Sequence, residues 1–363
     1  NARFVVINIR GGLDGLAAVA PYGDPTLAKL RAPLMAPSVG TQGGMLYLGG
    51  FFGLHPSLVN LHAMYAAGQA LVVHAVGNCA LTRSHFEGQD YLQSGAPQLL
   101  SSGWLNRVAS FMPAAGGSLQ TGIAVDSTTP LLLRGPTVVA GWGPDGFAPV
   151  SSTLASELLA VTQPDPLIGP ALQTGYQDRT QINAIFQAGS KAPTGLSALQ
   201  NLAWGAGQLL AAPGGPRIAA LETVGVDTHF GQVDELDTSL SDLDGAIGAL
   251  QVSLGSAWKN TVVLTMTEFG RTAAVNGTNG TDHGTGFAVF MAGGAVAGGK
   301  VVTTWPGLSP SQLYQGRDLA PTVDFRSVAM TVLQQHLGVP ASAIPTIFPG
   351  ATGLSTMSGL VNG

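Results

Sequence analysis

Charge is what this sequence has least of. Asp, Glu, Lys and Arg together make up 10% of its 363 residues, and only four of the fifteen basic residues are lysine. With a formal net charge of -5, the chain offers no basic stripe for a polyanion, so no nucleic-acid partner is expected. Cysteine occurs once, as Cys79, which excludes an internal disulfide and leaves export undecided. No apolar run reaches the roughly 20 residues of a spanning helix, so no membrane span is expected. Glycine is abundant, at 51 residues, but without a Gly-X-Y period, which excludes a collagen-like chain.

What is present is a large apolar fraction, 45%, enough for a sizeable core without covalent staples. Arg3–Ile9 is a short run rich in β-branched residues that ends in Gly11 and Gly12, and it reads as a buried strand feeding a tight turn. His55–Ala67 has helical spacing with Gly68 as its stop. Ala70–Val76 reads as a second buried strand, and a helix follows with Ser84 near its start. Val233–Leu254 carries apolar residues at helical spacing, from Leu236 to Leu250. Thr261–Thr267 and Phe287–Ala292 read as two more buried strands. This alternation predicts an α/β fold with a mainly parallel central sheet, organised as one domain over residues 1–363. Residues 96–215 are less regular and read as a large middle insertion on one sheet edge, with a short strand at Gly122–Val125 and a helix at Ala198–Ala211.

Acids and histidines collect where such strands end. Asp14 follows the first strand, Asp227 and His229 follow another apolar segment, and Glu268 ends the run at Thr261–Thr267. Asp282 and His283 sit in a glycine-rich loop just before Phe287. Strand ends of a parallel sheet converge on one edge, the usual place for a ligand site, and these side chains are the types that bind divalent metals. Each has a plainer reading. Asp14 or Asp227 can cap a turn or helix, and His283 can bond a backbone carbonyl. His55, His62, His74 and His336 read as packing or capping residues. Ser84 stands at a helix start, where N–H groups and the helix dipole stabilise an oxyanion. It equally completes a capping box with Glu87. Arg83 and Arg271 suit either an oxyanion clamp or a structural ion pair.

The runs RGGLDGL (10–16), FGLHPSL (52–58), TRSHFEGQDYLQSG (82–95), GWLNR (103–107), VDTHFGQ (226–232), TEFGRT (267–272), NGTDHGTG (279–286) and DLAPTVDFR (318–326) resemble, in order, the bacterial family called domain of unknown function 1501. That family resembles a branch of the alkaline phosphatase and sulfatase superfamily. The resemblance implies a three-layer α/β/α sandwich of alkaline phosphatase type and a periplasmic or secreted location reached by twin-arginine export. The chain opens on Asn1 without an initiator Met, which suggests either a trimmed chain or a processed mature form, so any targeting segment lies outside this sequence.

The resemblance also implies a site. Asp14 matches the metal-holding acid after the first strand, Ser84 the nucleophile at a helix start, and Gly95 the glycine that closes that helix. Asp227, His229 and His283 match further metal-binding positions. Glu268 and Phe269 stand where the superfamily has an Asp–His pair, so Phe269 removes an expected ligand. The gap between Asp227 and His229 is shorter than usual. The expected protein is a hydrolase of phosphate or sulfate esters, acting on a small-molecule or saccharide ester. Ser84, His85, Arg83 and Arg271 are its expected catalytic residues. Asp14, Asp227, His229, Glu268, Asp282 and His283 are the expected holders of one or two divalent ions, zinc, calcium or another metal. The alternative is a catalytically silent periplasmic binding or assembly protein that keeps the fold without a full metal site, a reading that Phe269 favours.

Overall fold

A computed structural model describes residues 2–112, 119–143 and 151–362. Its strands, in chain order, are β1 (Arg3–Ile9), β2 (Val19–Ala20), β3 (Leu46–Tyr47), β4 (Gly53–Leu54), β5 (Ala70–Gly77), β6 (Gly122–Val125), β7 (Ala140–Trp142), β8 (Ile218–Thr223), β9 (Thr261–Met266), β10 (Phe287–Ala292), β11 (Val301–Val302) and β12 (Val323–Asp324). Nine of them form one sheet in the order β11-β5-β10-β9-β1-β8-β6-β7, with β12 also paired to β5, while β2, β4 and β3 make a small separate sheet.

The large sheet is parallel at β1–β8, β1–β9, β8–β6 and β6–β7. Strand β10 alone runs antiparallel, to β9 on one side and β5 on the other. The expected mainly parallel sheet is therefore present, with one reversed strand. That reversal matters for the site. The segment that enters β10 lies at the same edge as the segments that leave β1, β8 and β9, so a loop before a strand joins loops after strands.

Both faces of the sheet are covered, giving three layers. Along β1, Val5, Ile7 and Ile9 pack into one core with Leu58, Leu61 and the buried stripe Leu236, Leu240, Leu243, Ile247 and Leu250. Phe4 and Val6 pack into the other, with Leu92, Trp104, Val108, Phe325 and Val328. Two buried faces remove the in-out alternation of a half-exposed sheet, which is why these strands read as continuous apolar runs. His74 is buried in β5, where its Nε2 bonds the Val19 carbonyl at 2.9 Å, the packing role expected of it. The helix expected from His55 begins at Val59, after Pro56 and a turn in which Leu58 N–H bonds the His55 carbonyl.

The middle region is only partly an insertion. Strands β6 and β7 extend the main sheet itself, and the helix Ala198–Ala211 packs through Leu199, Ala203 and Leu209 into the same core as Leu240 and Leu250. The helix Ile168–Ala188 joins the same core through Ile182, the helix Ser152–Thr162 packs against it, and residues 113–118 and 144–150 fall outside the described residues. No helix among the described residues is long and apolar enough to cross a membrane.

The turn after β1 couples fold to site. Gly12 has φ +73°, and a Cβ there would lie 2.4 and 2.6 Å from two ring carbons of Phe269. Only glycine fits both the left-handed backbone and the ring. Gly12→Ala should therefore lower unfolding free energy by about 2–4 kcal/mol in urea titration. Gly277→Ala, where a Cβ meets nothing within 4 Å, should stay near wild type. Equal effects at the two positions would contradict this packing.

Candidate metal centre

Glu268 leaves the end of β9 as a buried carboxylate, 1% exposed, and such a group needs partners on every side. Its Oε1 accepts from Gly11 N–H at 2.8 Å, after β1, and pairs with His85 Nδ1 at 2.7 Å. Its Oε2 accepts from Gln89 Nε2 at 2.8 Å and Thr267 Oγ1 at 3.2 Å. Burial pushes this carboxyl upward, but the bonds from His85 and the backbone outweigh it and hold the pKa below the ordinary value.

His85 is the first residue of the helix His85–Ser94, with Ser84 as N-cap and Gly95, in the left-handed conformation, as its close. A carboxylate only accepts, so His85 Nδ1 carries a hydrogen and Nε2 faces away from Glu268. His283, in the loop entering β10, has Nδ1 2.8 Å from the Arg83 carbonyl oxygen. A carbonyl also only accepts, which fixes the hydrogen on Nδ1 and leaves Nε2 as the atom that faces the cluster. The two Nε2 atoms converge on Asp227, with His85 Nε2 3.3 Å from Oδ2 and His283 Nε2 3.2 Å from Oδ1. One donor atom from each of His85, Asp227 and His283 lies within 4.8 Å of the other two. His85 Nε2 is buried and lacks a hydrogen-bond partner among the described residues.

His229 stands beside this triad. Its Nδ1 is 3.3 Å from Asp282 Oδ1, and its Nε2 is 3.0 Å from His283 Nε2 and 3.1 Å from Asp227 Oδ1. With both Nδ1 hydrogens drawn to acceptors, the facing Nε2 atoms need a proton or a cation between them. Asn276 Nδ2 braces the pair, bonding the His229 carbonyl at 2.8 Å and Asp282 Oδ1 at 3.3 Å.

Charge around the triad is set by its neighbours. Burial raises the Asp227 carboxyl, but Arg271, whose Nη1 lies 2.9 Å from Oδ1, and the adjacent imidazoles bring the pKa below the ordinary value. The bond to Glu268 raises the His85 pKa, while burial lowers that of His283. Phe269 is buried, with its ring 4.9 Å from that of His85 and 4.8 Å from that of His283. It forms an apolar wall behind both imidazoles in the place where a ligand was expected.

Seven of the ten expected site residues thus meet at the triad or against it: His85, Arg271, Asp227, His229, Glu268, Asp282 and His283. Among these, Glu268 holds His85 from behind, and His85 itself presents a donor nitrogen. Arg83 contributes its carbonyl, while its guanidinium turns away to Asp318 and Gln315. Ser84 Oγ accepts from Glu87 N–H at 3.5 Å, the capping geometry. Asp14 stays out of the cluster. It is fully buried, caps Leu16 and Ala17, and bonds Arg31 at 2.5 Å and Gln232 at 2.6 Å, so its oxygens are already spent. Arg31, Gln232 and Asp318 went unread in the sequence because nothing local marks them. Gln89 had a signal, lying four residues after His85 on one helix face.

The triad is open, with the Asp227 side chain 44% exposed. A cavity of about 360 Å³ shares Asp282 and Thr272 with these loops, and Leu30, Leu308 and Arg317 also line it. A larger one, about 630 Å³, is lined by Trp204, Gln208 and Val252. It sits at the far end of the helix Gln232–Leu254, a helix length of roughly 35 Å from the triad.

Fold and site together define an α/β/α protein with a candidate His–Asp–His metal centre. The family described as "Protein of unknown function (DUF1501)" matches residues 74–348, and the chain belongs to that family. No curated protein matches it. The structure is similar to a putative sulfatase from Bacteroides thetaiotaomicron, with TM-score 0.45, 11% identity, and coverage of 98% of this chain and 76% of that one. It is similar to the zinc complex of the C-terminal periplasmic domain of EcEptC from Escherichia coli, with TM-score 0.39, 10% identity and coverage of 81% and 73%. It is also similar to alkaline phosphatase from the Antarctic bacterium TAB5, with TM-score 0.33, 12% identity and coverage of 84% and 95%.

Two outcomes follow from this geometry. Removing one partner of a buried ion pair leaves the other charge uncompensated, so Asp14→Ala should cost about 3–5 kcal/mol in urea unfolding while metal uptake persists. Loss of uptake in the folded variant would place Asp14 among the ligands. The second outcome concerns pH in metal-free protein. His85 has its pKa raised above the ordinary 6.5. Its contribution is complete below 6.5 and is lost as pH rises through the raised value. Glu268 has its pKa lowered from the ordinary 4.5, so its contribution is present above 4.5 and is lost as pH falls through the lowered value. The stability gap between wild type and His85→Gln should peak at about pH 5–6 and shrink on both sides. A flat gap would contradict the pairing.

Proposed function

We propose that the protein is an exported divalent-metal hydrolase of phosphate or sulfate esters, with His85, Asp227 and His283 as the ion's ligands. The observation that carries this reading is the tautomer arrangement: each imidazole has its Nδ1–H held by an acceptor, so both Nε2 lone pairs turn toward one carboxylate. Metal-binding histidines characteristically donate their other N–H in this way. The donor set fits the group. Two imidazole nitrogens and a carboxylate oxygen suit zinc and neighbouring divalent metals, and three protein ligands leave a position open, as in catalytic sites. The lone thiol plays no part, because burial pushes Cys79 up to about 11 and keeps it neutral. Export rests on the family resemblance alone.

A divalent ion bound there supplies Lewis-acid polarisation of an ester oxygen. The chain's own residues supply the rest. Glu268 orients His85, Arg271 keeps Asp227 ionised, and Phe269 keeps water from the back of both imidazoles. Asp282 holds a proton at His229 Nδ1, and Ser84 offers a hydroxyl at the helix start beside His85. The cavity along Asp282, Thr272 and Arg317 is the place for the organic part of the ester.

Phe269 in a ligand position and Asp14 committed to Arg31 favour a second reading, a silent binding or assembly protein. Elemental analysis combined with turnover of aryl phosphate and aryl sulfate separates the two. The hydrolase reading expects a bound divalent ion, lost in His283→Ala, and turnover that falls by orders of magnitude in both Ser84→Ala and Ser84→Asp with the metal retained. Aspartate caps a helix about as well as serine, so Ser84→Asp should stay folded. Folded protein with neither ion nor turnover supports the silent reading. Turnover that survives both Ser84 variants leaves Ser84 as a cap only.

A further inference from the structure

Asp318 opens the run DLAPTVDFR and is fully buried, yet it lies outside the triad. Its Oδ2 accepts from Arg83 Nε at 2.8 Å and Arg83 Nη2 at 2.5 Å, and Arg317 Nε lies 3.8 Å from Oδ1. The Arg83 guanidinium also bonds Gln315 Oε1 at 2.9 Å and lies over the Tyr314 ring, 5.9 Å from its centroid. The carboxylate thus bonds Arg83 through Oδ2 alone, while Oδ1 faces Arg317 without a hydrogen bond and has no partner among the described residues, and each arginine touches His283. The Arg83 carbonyl accepts from Nδ1 at 2.8 Å, and Arg317 Nη2 donates to the His283 carbonyl at 2.8 Å. The backbone ties the same segment to the loop, since Thr272 pairs with Asp318 next to the pairing of Arg271 with His283.

We propose that Asp318 is a positioning residue for His283: through Arg83 and Arg317 it fixes the imidazole with its hydrogen on Nδ1 and its Nε2 lone pair toward Asp227. A guanidinium spent on Asp318, Gln315 and Tyr314 is a poor clamp for a substrate oxyanion, so the value of Arg83 to the site lies in its main chain. A partly exposed arginine paired with a buried carboxylate adds little to fold stability, and this pair stands behind a single imidazole. The arrangement sets His283 from its ring and its carbonyl at once, which a single hydrogen bond cannot do. The consequence for an ion rests on the metal reading above, whereas the consequence for the tautomer stands without it.

The test uses the full chain as wild type, Asp318→Asn and Arg317→Gln. Nitrogen-15 NMR of the histidine rings in metal-free protein at about pH 8, where imidazoles are mostly neutral, should show wild-type His283 as one Nδ1–H tautomer. Asp318→Asn should show a mixture of tautomers, and titration with Zn²⁺ alone should find affinity lowered by about 10–100-fold. Folded Asp318→Asn with the wild-type tautomer and affinity overturns the proposal. Should that variant fail to fold, Arg317→Gln decides, because its altered side chain is half exposed. A shift in the His283 ring signals supports positioning, and unchanged signals overturn it. Wild type that takes up no Zn²⁺ defeats the metal reading, and the tautomer comparison still settles the role of Asp318.

Discussion

A single buried carboxylate at the end of β9 ties the architecture to its chemistry. Glu268 is held by the turn after β1, by its own neighbour Thr267 and by two side chains of the helix His85–Ser94. An ionised group in that position is tolerable only when every lone pair is met. The central strands and one covering helix are therefore brought to a common point. His85 is the one of those donors with a second functional face, and satisfying Glu268 on one side turns its other nitrogen outward. The same logic repeats at His283, with a backbone carbonyl in place of the carboxylate.

The glycine at position 12 shows how closely the turn follows this arrangement. The Phe269 ring occupies the space that any side chain at Gly12 would need, and it packs against both imidazoles. The aromatic ring that replaces an expected ligand thus has a structural task, to fix ring planes and to keep the back of the site dry.

Much of this was legible in the sequence, and the limits are physical. Both faces of the sheet are covered, so Arg3–Ile9, Ala70–Gly77, Thr261–Met266 and Phe287–Ala292 stand out as unbroken apolar runs, and their ends mark the site edge. Direction is not encoded in such a run, so the reversal of β10 could be seen only in pairing. Strand β7 is short and sits at the edge of the sheet, and β6, though buried and paired on both sides, has only four residues, so the region around them reads as insertion. Asp14 shows the reverse failure. A carboxylate after the first strand looks the same in sequence whether it meets a metal or Arg31, because the partner comes from a different segment. Tautomers, too, depend on which acceptor the fold places behind each ring.

The central claim is that His85, Asp227 and His283 share one divalent ion. Anomalous X-ray diffraction from crystals grown with Zn²⁺ tests it most directly. The account predicts a peak at about 2.0–2.2 Å from His85 Nε2, His283 Nε2 and an Asp227 oxygen, with Nδ1 of His85 still on Glu268. A peak coordinated instead by Asp14, or none at the triad in zinc-saturated crystals, would contradict it.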